Sequence, residues 1–150
     1  PYVLVNDMRK TIAVLADTFY NQIWKHITIA GITGTKGKST TTYFVRQILD
    51  DYLKGIKKPI SAVLSGIDNY DGVINEESHL TTPEALDLHR HYNNAVNSGI
   101  EFLTMEVSSQ ALKYHRTLGI NFDVGCFMNI GIDHKRMHHE NFIIFRRILP

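Results

Sequence analysis

The sequence predicts an α/β fold, a largely parallel sheet flanked by helices. Three observations predict it. Short apolar runs alternate with longer segments of helical periodicity, the pattern of βαβ units. Chemically distinctive residues gather where the apolar runs end. One run, 26–30, leads through a glycine-rich stretch, 31–40, straight into a helix-forming segment.

The elements follow in order. Residues 7–20 are predicted to be a helix, because Met8, Ile12, Leu15 and Phe19 recur at spacings of four, three and four. Asn6 or Asp7 caps it. Its apolar stripe is expected to be buried against the domain that follows, unless the helix is the tail of a preceding one. The chain is therefore divided into 1–25, the end of an N-terminal domain or a connecting helix, and 26–150, a nucleotide-binding domain that the resemblance given below implies is a central one, truncated on its C-terminal side.

The first strand ends in Gly-Ile-Thr-Gly-Thr-Lys-Gly-Lys-Ser-Thr. Strand, glycine-rich turn, Lys-Ser and helix describe a phosphate-binding loop, and so a P-loop-type mononucleotide-binding domain. Glycines let the backbone turn and bring its N–H groups against phosphate oxygens. Gly34, Thr35, Lys36, Gly37, Lys38, Ser39 and Thr40 are the expected nucleotide-binding residues. Lys38 reaches the outer phosphates, and Ser39 ligates magnesium. The loop is a variant, with Ile32 where the common pattern has its first glycine.

A helix over 40–53 follows, with Phe44, Val45, Ile48, Leu49, Tyr52 and Leu53 as the face that packs on the sheet. Residues 60–64 form the second strand. Residues 69–72 carry a turn signal, and 73–80 a short strand or excursion. Thr82 and Pro83 open a helix that runs to about Asn97, with Gly99 as its stop. His89 and His91 are two apart, share no helix face and are expected on the surface. A third strand over 100–107 contains Glu106 near its end. A short helix over 110–116 and a fourth strand over 122–130 complete the pattern. In parallel sheets ligands collect at the carboxyl ends of strands. The loop, Glu106, Ser109, Asp133 and His134 should therefore share one edge.

Composition sets bounds. A chain of 150 residues with 43% hydrophobic content can build one sizeable core. A formal net charge of +1 gives no footprint for nucleic acid. No apolar run reaches membrane-spanning length, and no basic leader resembling a signal peptide is present. Cys126 stands alone, so no internal disulfide forms, which suits a reducing, cytoplasmic compartment. Glu106, ending an apolar strand, is placed to complete a magnesium site with Ser39. The residues Asp133, His134, His138, His139 and Glu140 match no standard zinc spacing.

Four segments taken together resemble the Mur ligase family: ITGTKGKSTTT at 32–42, TTPEAL at 81–86, MEVSSQAL at 105–112 and FMNIGIDH at 127–134. TTPEAL and EVSSQAL, with Arg116 beyond, are most similar to the branch that adds diaminopimelate or lysine to UDP-N-acetylmuramoyl-alanyl-glutamate. The resemblance implies an ATP-dependent amide-bond ligase of peptidoglycan synthesis. In it a substrate carboxylate is phosphorylated by ATP to an acyl phosphate, which the incoming amine attacks. It implies catalytic roles for Lys38, Glu106 and His134, with Ser39 and Glu106 on a first magnesium and His134 on a second. It implies that Thr81, Thr82, Ser109 and Arg116 contact the nucleotide-sugar peptide. It further implies ATP and Mg2+ as cofactors, small-molecule partners only, and a cytoplasmic monomer, inactive as this segment alone.

Lys36 stands where tripeptide-forming members usually have asparagine, a departure shared with polyglutamate synthases. Beyond residue 134 the sole lysine is Lys135, too near to act as the family's carbamylated lysine. Two other readings remain: a folylpolyglutamate-type ligase, disfavoured by the adjacent Lys38 and Ser39, and a nucleotide-binding module without ligase activity.

Overall fold

The strand that precedes the glycine-rich loop lies inside the sheet, because both of its edges find partners from the second half of the chain. In a computed structural model that describes residues 2–131, β1 (Thr28–Thr33) pairs in parallel with β5 (Phe102–Glu106) on one side and β6 (Val124–Phe127) on the other. β2 (Ala62–Leu64) pairs in parallel with β5. β3 (Asp68–Tyr70) and β4 (Asn75–Glu77) add an antiparallel hairpin at one edge, giving the order β4-β3-β2-β5-β1-β6. The expected largely parallel sheet is therefore present. The hairpin strand β3 falls on the stretch read as a turn, and the turn itself sits just beyond, at Asp71 and Gly72 (φ 88°).

Alternation along the strands sorts the two faces. Ile29, Leu103, Met105, Ala62 and Leu64 point to one side and join Leu88, Tyr92 and Ala95 of α3 (Ala85–Asn97) in the main core. Each fully buried Ile, Leu or Met side chain there contributes about 1.5–3 kcal/mol. α2 (Lys38–Gly55) packs against the other side, over β1, β2 and β5. The helix α3 starts at Ala85 with Glu84 as its cap residue, later than the expected Thr82, because Thr82 is drawn into the strand-end network described below. The short helix α4 is Ser109–Lys113, capped by Ser108, whose Oγ accepts from the Ala111 amide at 3.1 Å.

Three sequence expectations are corrected here. α1 (Met8–Phe19) forms, capped by the Asp7 side chain, but the stripe Met8, Ile12, Leu15 and Phe19 faces outward. The helix buries Ala13 and Ala16 instead. Small side chains let it approach α3 closely. Asp17 on the same side accepts from Trp24 Nε1 at 2.8 Å, holding the 3-10 turn Ile23–His26 against the helix. On α2, Leu53 is buried as expected, whereas Phe44, Ile48 and Tyr52 are exposed. Its inner positions belong to Thr42 and Asp50, and Asp50 accepts from the backbone N and Oγ of Ser61 at 2.8 and 2.6 Å.

His89 and His91 are both buried, not on the surface, because α3 is covered by the sheet, by α1 and by the β3–β4 turn. His91 Nδ1 lies 2.7 Å from Asp71 Oδ2, which also accepts from Asn94 Nδ2 at 2.9 Å. The other carboxylate oxygen accepts from the amides of Val73 and Ile74. Burial alone would raise Asp71, but these four hydrogen bonds outweigh it and hold its carboxyl below the usual value.

His89 has no hydrogen-bond partner at either ring nitrogen among the described residues; it stacks on Tyr20 and meets Tyr92 edge-on. Burial lowers its pKa, against a smaller opposing pull from Asp17. The unfolded chain takes up this proton near pH 6.5, the folded chain only at lower pH, so stability falls as pH drops below about 6.5. The melting temperature is expected to decline between pH 7 and 5, and His89→Leu to flatten that decline. Equal slopes for both proteins in thermal melts would refute this role.

Candidate functional site

The glycine-rich loop leaves β1 at Thr33 and enters α2 at Lys38. Gly34 (φ 144°) and Gly37 (φ 85°) occupy conformations that disfavour a side chain. Gly34 is also pressed by its neighbours: a Cβ there would lie 3.0 Å from Met128 Cβ and 3.1 Å from the backbone N and O of Asn129. Among the described residues, the amides of Gly37, Lys38, Ser39 and Thr40 donate to no protein acceptor. These are the free donors of a helix N-terminus, where the helix dipole also favours an anion. Lys38 Nζ folds back over the loop and donates to the carbonyl of Gly34 at 2.9 Å, with that of Thr35 at 3.5 Å. One concave turn thus gathers an ammonium, four amides and the hydroxyl of Ser39.

Glu106 ends β5 beside this turn. It is paired in register with Ile32, and the Val107 amide donates to the Ile32 carbonyl at 2.8 Å. Its side chain is 1% exposed. Oε1 accepts from the Gly66 amide at 2.9 Å, and no cationic side chain among the described residues lies within ion-pair distance. A buried carboxylate without a cation is costly. Magnesium, which prefers carboxylate, hydroxyl, phosphate and water oxygens, fits this donor set. Ser39 and Glu106 could hold it together. Among the described residues no cluster of three or more His, Cys, Asp and Glu side chains forms a site by itself.

The remaining expected residues lie along the same edge. Thr82 Oγ1 donates to the Glu106 carbonyl at 2.9 Å and accepts from the Ser108 amide at 3.0 Å. Arg116, mostly buried, donates from Nη1 to the Thr82 carbonyl at 3.0 Å and pairs through Nη2 with Glu84 at 2.5 Å. A Cβ on Gly66 would meet Thr81 Oγ1 at 3.3 Å and Glu106 Oε1 at 3.8 Å, so Thr81 shares the corner. Ser109 is the first residue of α4, partly buried. Asp133 and His134 lie outside the described residues.

Sequence reading assigned no role to Glu84, Gly66 or Asn129, although Glu84 lies in the segment 81–86 and Asn129 in the segment 127–134. Glu84 could have been found as an acidic residue beside the proline that precedes a helix. Gly66 follows a strand end and could have been noted on that ground. A cleft of about 200 Å3 lined by Leu112, Thr117, Leu118, Gly119, Ile120 and Phe122 opens near α4 and carries no titratable side chain.

Known proteins are similar to this chain in sequence and fold. Residues 32–145 match the Mur ligase middle domain family. The chain is 45% identical over 144 residues to the UDP-N-acetylmuramyl-tripeptide synthetase of Bifidobacterium longum, covering 95% of this chain and 27% of that protein. It is 40% identical over 154 residues to the UDP-N-acetylmuramoyl-L-alanyl-D-glutamate--L-lysine ligase of Streptococcus agalactiae, covering 99% of this chain and 31% of that protein. The fold superposes with a TM-score of 0.68 on a solved UDP-N-acetylmuramoyl-L-alanyl-D-glutamate--2,6-diaminopimelate ligase, at 18% identity, over 97% of this chain and 30% of that one. The chain thus spans less than a third of the length of each of these relatives. Its matched segment covers the glycine-rich loop and the strand-end acid alike, and the chain belongs to the Mur ligase family as a middle domain.

Proposed function

We propose that this domain is the ATP-binding part of a ligase that joins an amino acid to a UDP-N-acetylmuramoyl-peptide in cytoplasmic peptidoglycan synthesis. The observation that carries this reading is the buried Glu106 carboxylate, without a protein cation among the described residues, at the strand end beside a turn rich in free amides. The names of the relatives supply the substrate class.

In this reading Gly37, Lys38, Ser39 and Thr40 present their amides to the outer phosphates of ATP. Gly34, Thr35 and Lys36 shape the turn. Lys38 exchanges its loop carbonyls for phosphate oxygens and offsets their charge. Ser39 and Glu106 would hold magnesium, and the family resemblance would give His134, three residues beyond Gly131 in the chain, to a second metal. Bound magnesium supplies charge neutralisation on the phosphates as the γ-phosphoryl group passes to a substrate carboxylate. Fixed donors around developing negative charge are the main catalytic contribution of this edge. Thr81 and Ser109 line the side where the nucleotide-sugar peptide binds, while the buried Thr82 and Arg116, whose fork is held by the Thr82 carbonyl and by Glu84, brace that side from within and reach the peptide only by exchanging those partners.

Phosphate release by the full-length protein tests the reading. Release that requires ATP, magnesium, the muramoyl peptide and an amino acid together is the expected result. ATP binding without such turnover would leave a nucleotide-binding module instead.

A further inference from the structure

We propose that Asn129 is a positioning residue for the phosphate-binding turn, a clamp that sets the backbone of Lys36 and so aims the amides that follow it. This rests on the nucleotide-site reading above and adds a residue that makes no contact with the phosphates itself. The Lys36 amide donates to Asn129 Oδ1 at 3.0 Å, and Asn129 Nδ2 donates to the Lys36 carbonyl at 2.9 Å. The Thr35 amide donates to the Asn129 carbonyl at 3.2 Å. Two residues on, the Gly131 amide donates to Thr35 Oγ1 at 2.9 Å. On the other side, the Met128 amide donates to the Thr33 carbonyl at 2.9 Å. The segment 128–131 is thereby laced along the turn from Thr33 to Lys36.

The chemistry selects an amide side chain. One peptide unit must be offered an acceptor for its N–H, and one carbonyl a donor, from the same side chain; asparagine carries both. Gripping both groups of Lys36 therefore restricts its two backbone dihedrals. Gly37 then turns through φ 85° into α2. The direction of the amides of Gly37, Lys38, Ser39 and Thr40 is set by that junction. The clamp also occupies the amides of Thr35 and Lys36, so those two are not free to meet an anion. The bare Gly34 follows from the same geometry, since the segment 128–129 passes where its side chain would stand.

The test uses the full-length protein and two variants. Asn129→Ala removes the grip, and Asn129→Asp keeps the shape and the acceptor but loses the donor. Both are expected to weaken Mg-ATP binding at least tenfold by calorimetry and to raise the KM for ATP. The KM values for muramoyl peptide and amino acid, and the melting temperature, should stay close to those of the parent protein, because Asn129 is exposed and outside the core. ATP affinity within twofold of the parent for both variants would overturn the clamp. So would a parallel rise in all three KM values with a lowered melting temperature, which marks a merely structural role. Lys38→Ala separates the two readings. If it abolishes ATP binding while the Asn129 variants bind normally, only the clamp fails; if it too binds normally, the nucleotide site fails and the clamp with it.

Discussion

Replacing Lys38 by alanine is expected to remove measurable ATP binding from the full-length protein while leaving its fold intact. The ammonium spans the turn on the carbonyls of Gly34 and Thr35 and is only partly buried. Deleting it therefore costs the free protein little. Against a triphosphate the same group makes charge-assisted hydrogen bonds, each about 1.5–3 kcal/mol, or roughly 10- to 150-fold in affinity. Calorimetric titration with Mg-ATP reads this directly. Unchanged affinity in a protein with a normal melting curve would count against the whole assignment of the turn.

Glu106→Gln should separate stability from metal use. Glutamine keeps the shape and can still accept from the Gly66 amide, but it carries no charge. In the absence of magnesium the variant is expected to be at least as stable as the parent, because a buried carboxylate with no neighbouring cation among the described residues has been neutralised. With substrates present, its magnesium activation midpoint should rise about tenfold or more, equivalent to about 1.4 kcal/mol of lost metal binding. A residue with a purely structural function gives the opposite pattern, with lower stability and an unaltered activation curve.

What could be read in the sequence was local chemistry. The turn from Gly31 to Thr40 places its glycines, lysine and serine within one supersecondary unit, so spacing alone indicates the candidate phosphate site. Glu106 was legible because an acid ending an apolar strand is conspicuous. Asn129 was not, because its partners Thr35 and Lys36 lie more than ninety positions away and the contact exists only once β6 aligns beside β1. Periodicity located α1 and α2 yet misjudged which side each turns inward. That choice depends on the neighbour: alanines suit the close approach to α3, and Asp50 is drawn inward by Ser61. His89 and His91 were misplaced for a related reason. Positions two apart on a helix can both be buried when the helix is covered on several sides, as α3 is by the sheet, by α1 and by the Asp71 turn.

The strand order has a consequence for how the domain is made. Thr28 pairs with Phe102 and Ala30 with Val124, so β1 leaves the ribosome long before either neighbour exists. During that interval Ile29 and Ile32 have no ladder to join, and the turn after them has nothing to brace it. Such long-range closure makes folding slow and lengthens exposure of sticky strands to aggregation. A nascent chain halted before Val124 should therefore stay protease-sensitive and occupied by chaperones, whatever its helices have already achieved.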